Sequence, residues 1–479
     1  MLNNKYFLLI IAEIFLFFLL SYRLLEVPKG LTVDESAFGW NAALLSRSAH
    51  DQNEKFLPLF VNSINNSDWR QPWTQYYITL FFKIFGISIY NLRLSSVVLI
   101  LLSSLLLFKL VEKILDWKYA LVSIFLFAFT PIIFMHSHLG LDNIMPIPFT
   151  IFWLTNLYQY QKYKKNKYLI FSALSLGSSF YSYKGMRAVV PVWSILSVLY
   201  IIYLNYKPKI NLKKLISKTL PFVLGILPFF IIIPYLSHLY PGAIFGGARP
   251  KFSDIYTLIY AYFSHFDLNF LFIKGDNLLY HSTQKHGMML LATAPLFFAG
   301  IYQSIRKKKF WLFITLTFFS APLLFGLVDS VYRASRIQSI VPGYILICIL
   351  GLSTIVKSKF SKITLGILAL LILINFSSFL KYYWFTYPKF TENIFGNMNR
   401  NESYKVFANE AISRNLPHYV DGEIYEGFFD NIYFESPSMI LNHQEIPPIP
   451  SIYLTTQGNL SGFEKLDVKI PDFNIYIRQ

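Results

Sequence analysis

Runs of roughly 17 to 20 apolar residues recur along this chain, near 5–24, 92–110, 118–136, 143–161, 168–184, 188–205, 218–236, 287–305, 310–328, 338–356 and 363–380. Each is long enough as a helix to cross a hydrocarbon core of ~30 Å, at about 1.5 Å of rise per residue. A chain so built must satisfy its backbone inside lipid, which leaves helices as the economical solution. Charged residues make up 14% and hydrophobic ones 54% of the 479 residues. Soluble domains carry roughly 25% charged residues. The expected fold is an all-α polytopic membrane protein with about eleven transmembrane helices.

The connections fix an orientation. Lys109, Lys113 and Lys118 fall between two runs, as do Lys162, Lys164, Lys165 and Lys167. Lys207, Lys209, Lys213, Lys214 and Lys218 follow, then Arg306 to Lys309, then Lys357, Lys359 and Lys362. Basic residues gather on cytoplasmic loops, so these clusters share that side and the amino terminus is cytoplasmic. The net charge of +17 therefore reports topology and not a nucleic-acid partner. The first run, about Tyr6 to Leu25, has no small-residue cleavage site after it and reads as a retained helix that serves as the export signal. Counting Trp73 to Phe85 as a further span would invert every later loop, so it reads as interfacial or re-entrant.

The expected organisation is a transmembrane catalytic domain over 1–380, with a first external loop at 25–91 and a long external loop at 237–286. A small external α/β domain follows over 381–479, with β-prone pieces at Glu423–Tyr425, Asn431–Phe434, Ser451–Thr455 and Asn474–Ile477. The single cysteine, Cys348, lies in an apolar run and excludes an intrachain disulfide.

Polar groups gather on the external side. Asp34 and Glu35 stand together just past the first run, and Thr32-x-x-Glu35 fits a capping box, so the local stretch alone favours helix punctuation over chemistry for these acids. His136, His138 and Asp142 close the third span, Lys184 and Arg187 join the fifth and sixth, and Arg333 and Arg336 open the tenth. Loop 237–286 adds Asp267, Asp276, His281 and His286. Ionisable residues at helix ends in a membrane protein point to function. Snorkelling to headgroups is the alternative for the basic residues, and interfacial packing for the loop. His136, His138 and Asp142 lack a compact ligand spacing, so no metal site is assigned, and a divalent metal stays open.

Asp34-Glu35-x-x-Phe38-Gly39, followed by Asn41-Ala42, Asp51, Pro58-Leu59, Asp68, Phe85-Gly86 and Arg93-Leu94, resembles the first-loop pattern of bacterial GT-C glycosyltransferases. The similar groups are the protein O-mannosyltransferases and the aminoarabinose transferase of lipid A. Pro131 to Asp142, Phe180 to Tyr183, Phe270 to Phe272 with Gly275-Asp276 and His281, and Arg336 with Pro342 and Gly351 are similar to later landmarks. The chain departs at His138 and Tyr280, where relatives usually carry arginine.

The resemblance implies transfer of a sugar from a polyprenyl-phosphate donor to an acceptor hydroxyl on protein, lipid or cell-envelope glycan. Transfer would be inverting and would occur on the external face of a bacterial plasma membrane. It implies catalytic roles for Asp34 as base, Glu35 and Asp142, and phosphate binding by Lys184, Arg187, Arg336, Arg333 and His281. Asp51, His138, Asp276 and His286 would position the acceptor or the loops. A transporter or lipid-linked-sugar flippase is the alternative, although those place ionisable groups near the midplane and often show repeats, which this chain lacks. A tail-borne binding module on a membrane anchor would need far fewer spans.

Overall fold

The computed structural model describes residues 4–64, 68–207, 211–246, 254–328, 331–357, 361–392, 394–395, 398–422, 424–435, 439–441, 446–468 and 470–478. Lys209, Lys359 and Glu423 lie outside the described residues.

Every apolar run of the sequence carries helix. Among the described residues, seven helices are long and apolar enough to cross a membrane: Asn4–Ser21, Ile89–Ile114, Met186–Asn205, Leu220–Leu239, Lys309–Leu327, Ala334–Ile355 and Ser361–Phe385. Trp117–Phe129 and Pro131–Ser137 make an eighth only if a pair bent by 66° is one span. Pro131 has no N–H to continue the ladder, and Thr130 Oγ1 bonds back to the Leu126 carbonyl at 2.7 Å, which explains the bend. Three expected spans are shorter or more polar. Asn166–Phe180 has 15 residues, about 22 Å of helix. Ala294–Lys307 has 14 and ends in Arg306 and Lys307. Pro146–Tyr163 ends in a turn holding Gln159, Gln161 and Lys162.

The chain forms two compact units. The first holds Met1–Tyr22, Ser96–His138 and Asp142–Phe385. Its interior is aromatic: Trp153 stacks on Trp193 with centroids 4.9 Å apart. Their ring N–H groups donate to Ser197 Oγ at 3.1 Å and to the Thr317 carbonyl at 3.0 Å, so neither indole is buried unsatisfied. The long connection before Ala294 is ordered where described, with a helix over Ile255–Ser264 and one π-turn over Asn269–Ile273.

The second unit holds Arg23–Ser95, Leu139–Leu141 and Thr386–Gln479. Its sheet runs Met439–Leu441, His418–Asp421, Ser451–Thr455, Asn474–Arg478, Glu464–Lys465, parallel among the first three and antiparallel after. Helix Ile424–Tyr433 replaces the strands expected at 423–425 and 431–434. Tyr425, Phe428, Phe429 and Ile432 recur at helical spacing, and that periodicity outweighs the β-propensity of each short piece. Phe428 and Phe429 share one core with Phe38, Ala42, Ile78 and Phe82 from the loop after the first helix. Contact there is close: a Cβ on Gly39 would lie 2.5 Å from the Phe428 ring. Pro72–Phe85 is a helix of 14 residues, about 21 Å long, with Ile78, Phe81 and Phe82 buried and Leu80, Ile84 and Phe85 exposed. It is not among the helices of spanning length and composition.

Candidate functional site

Thr32 caps helix Val33–Ser48, and the capping box is complete. Its hydroxyl accepts from the Glu35 N–H at 3.0 Å, and Glu35 Oε2 accepts from the Thr32 N–H at 2.9 Å. The cap is only part of what Glu35 does. Its Oε1 also accepts from Arg93 Nε and from the Gly140 N–H, each at 3.1 Å. Arg93 spends its remaining donors on the carbonyls of Leu24 and Pro28, both at 2.9 Å, and of Gly30. Both side chains are buried, and the pair is hydrogen bonded throughout, the condition under which buried charges are tolerated. Glu35 therefore anchors the entry to this helix.

Asp34, one residue earlier, points elsewhere. Its side chain is 54% exposed, with Oδ1 accepting from Arg70 Nη1 at 2.8 Å. Arg70 is itself buried: Nε donates to Ser63 Oγ at 2.8 Å, Nη2 stands 3.3 Å from Asp68, and the guanidinium lies 4.8 Å over the Phe38 ring. The arginine is fixed by packing, and it fixes one carboxylate oxygen in turn. Arg70 is the partner that sequence reasoning missed, although it is the only arginine between Arg47 and Arg93. Asp51 is buried, and Oδ1 accepts from the Asn53 and Lys55 N–H groups, so it shapes its own turn.

The other unit gathers the basic candidates. Arg336 donates from Nη1 to the Tyr183 hydroxyl at 3.1 Å and lies 5.5 Å over that ring. Gly185 allows this approach, since a Cβ there would come within 2.3 Å of the Tyr183 ring and 3.1 Å of Arg336 Cδ. Arg187 donates to the Ile244 carbonyl and feels the charges of both Asp142 and Arg336. Lys184 is half-buried in the same turn. Asp276 ties the long loop to this cluster: Oδ1 accepts from the Leu278 N–H at 2.8 Å and Oδ2 from the Ala334 N–H at 2.7 Å. Burial raises the Asp276 carboxyl above its ordinary range.

His281 meets His136 at 3.0 Å and feels the charges of Arg333 and Arg336. Burial and the two arginines push its imidazole down to about 4. His138 packs between the Phe134 and Tyr383 rings. His286 bonds Thr283 and packs on Phe379. Among the described residues no group of three His, Cys, Asp or Glu side chains is placed to hold a metal ion.

Part of the chain matches a family model, and nearly all of it matches a solved fold. Residues 70–238 match the model of the dolichyl-phosphate-mannose-protein mannosyltransferase family. The fold is similar to that of ArnT from Cupriavidus metallidurans in the apo state, with a TM-score of 0.60 at 10% identity over 98% of this chain and 97% of that one. The same protein bound to undecaprenyl phosphate gives a TM-score of 0.57 at 11% identity over 99% and 98%. At such identity the likeness speaks for the fold. Among curated proteins, none matches the sequence.

Proposed function

We propose that this protein transfers a sugar from a polyprenyl-phosphate donor to an acceptor hydroxyl of a protein, lipid or envelope glycan, with inversion. The observation that carries the reading is Asp34: an exposed carboxylate oriented by a buried arginine, in a chain whose fold matches a polyprenyl-phosphate-binding protein over its length. Asp34 takes the acceptor proton while the acceptor oxygen bonds to the anomeric carbon. The bond from that carbon to phosphate oxygen breaks, and polyprenyl phosphate leaves. A carboxylate suits this step because it must be ionised and within about 3 Å of the proton it takes.

The departing phosphate needs fixed cations, and Lys184, Arg187, Arg333 and Arg336 supply them. A guanidinium can hold two phosphate oxygens at once. Asp142, whose charge acts on Arg187, positions that cluster or the sugar hydroxyls. Glu35 orients the loop that presents Asp34. The topology proposed is eleven spans with a cytoplasmic amino terminus, in a bacterial plasma membrane with the chemistry on its external face.

The test is turnover by the purified full chain across a panel of polyprenyl-phosphate sugars. The wild type should consume one of them, and Asp34→Asn should lower kcat by about 10²- to 10⁴-fold without loss of folding. Undiminished turnover by Asp34→Asn rules out the base. No turnover of any donor, with counter-transport of one in vesicles, replaces the reading by a flippase.

A further inference from the structure

The two histidines His136 and His281 form a chain whose proton positions follow from its first member. His136 Nδ1 stands 2.7 Å from the Ile132 carbonyl. A carbonyl oxygen only accepts, so Nδ1 carries the hydrogen. His136 is fully buried, where a neutral imidazole keeps a single proton, and its Nε2 is therefore an acceptor. The atom 3.0 Å from that Nε2 is His281 Nδ1, which must donate. His281 is left with its proton on Nδ1 and a bare lone pair on Nε2. The inner ring is sealed and the outer one partly open, and Nε2 has no hydrogen-bond partner among the described residues.

This tautomer decides what His281 can bind. An ionised phosphate diester offers only acceptor oxygens, and lone pair facing lone pair is repulsive. A sugar hydroxyl offers a hydrogen. Arg333 and Arg336 lie close enough to His281 to depress its basicity, and the sugar is what is bonded to the phosphate those arginines are proposed to hold.

We infer that His281 Nε2 recognises the donor sugar by accepting a hydrogen bond from one of its hydroxyls, and that His136 is the positioning residue that fixes the tautomer. The assignment rests on the glycosyltransferase reading. It takes His281 out of the phosphate clamp and makes it a specificity residue for the sugar.

Two measurements on the full chain test it. In 15N-histidine-labelled protein, long-range nitrogen–proton NMR should show His281 protonated at Nδ1 and bare at Nε2. His136→Leu should release that preference. A His281 ring protonated at Nε2 in the wild type overturns the proposal, and that wild-type reading needs neither activity nor a variant.

In the second arm, binding of sugar-free undecaprenyl phosphate is compared with KM for the sugar-bearing donor. His281→Ala should leave the former within about twofold and raise the latter about tenfold, with partial rescue in His281→Gln, whose amide oxygen can accept. One monodeoxy donor should lose its penalty in His281→Ala. Loss of undecaprenyl phosphate binding by His281→Ala equal to that of Arg336→Ala overturns the assignment. If the wild type turns over no donor, the glycosyltransferase reading falls and this assignment with it, while the NMR result still records the tautomer.

Discussion

Arg93 and Glu35, from two different helices, meet at 3.1 Å where neither side chain is exposed. The pair closes the entry to the helix that carries Asp34, because Arg93 also gathers the carbonyls of Leu24, Pro28 and Gly30.

Arg93→Met should therefore cost about 3–5 kcal/mol, since it strands a buried carboxylate and three carbonyls. Thermal unfolding in detergent measures it. Glu35→Gln keeps the acceptor facing Arg93 and should cost less. The double variant Arg93→Met/Glu35→Leu should recover part of the loss.

Arg70→Lys should act on rate before stability. A lysine cannot hold Asp34, Ser63 and Asp68 together as the guanidinium does. The expected result is a fall in kcat of roughly tenfold to a hundredfold, with KM for the donor little changed, because orientation of the proposed base is lost. Steady-state kinetics on the best donor decide it.

Gly185→Ala should displace the Tyr183 ring and with it Arg336. Affinity for undecaprenyl phosphate should fall by about tenfold or more, read by direct binding. Unchanged affinity would remove Arg336 from the clamp.

Gly39→Ala should destabilise the unit with the sheet by about 1–3 kcal/mol, the usual cost of overpacking, because the new methyl meets the Phe428 ring. Phe428→Leu in the same chain should restore part of the melting temperature.

His265 and His281 both titrate near 4 in the folded protein, from an ordinary value near 6.5, chiefly through burial. The unfolded chain binds their protons first, so their contribution to stability is complete above about pH 6.5 and is lost as pH falls toward 4. The melting temperature should drop across that window. Replacing both with Gln should flatten that part of the profile.

Part of the candidate site was legible because local chemistry wrote it. Thr32-x-x-Glu35 is a capping box in sequence and in structure, and apolar runs announced the helices one by one. The division of labour between Asp34 and Glu35 was not legible. Neighbours on a helix point about 100° apart, and which one meets Arg93 depends on a helix more than fifty residues away. Likewise, the pieces around Ile424–Tyr433 each favour strands in isolation, and read one at a time they hid the helical spacing that packs Phe428 and Phe429 against Phe38 and Phe82.

The sequence by itself determined the membrane class, the places of the long apolar helices and the identities of the candidate acids and bases, because hydrophobic length and charge bias act over neighbouring residues. Only the tertiary structure decided that Glu35 is an anchor, that Arg70 holds Asp34, and that a carbonyl at Ile132 sets the proton on His281 through His136. Those assignments depend on hydrogen bonds about 3 Å long between segments far apart in the chain, and no periodicity or local spacing records them.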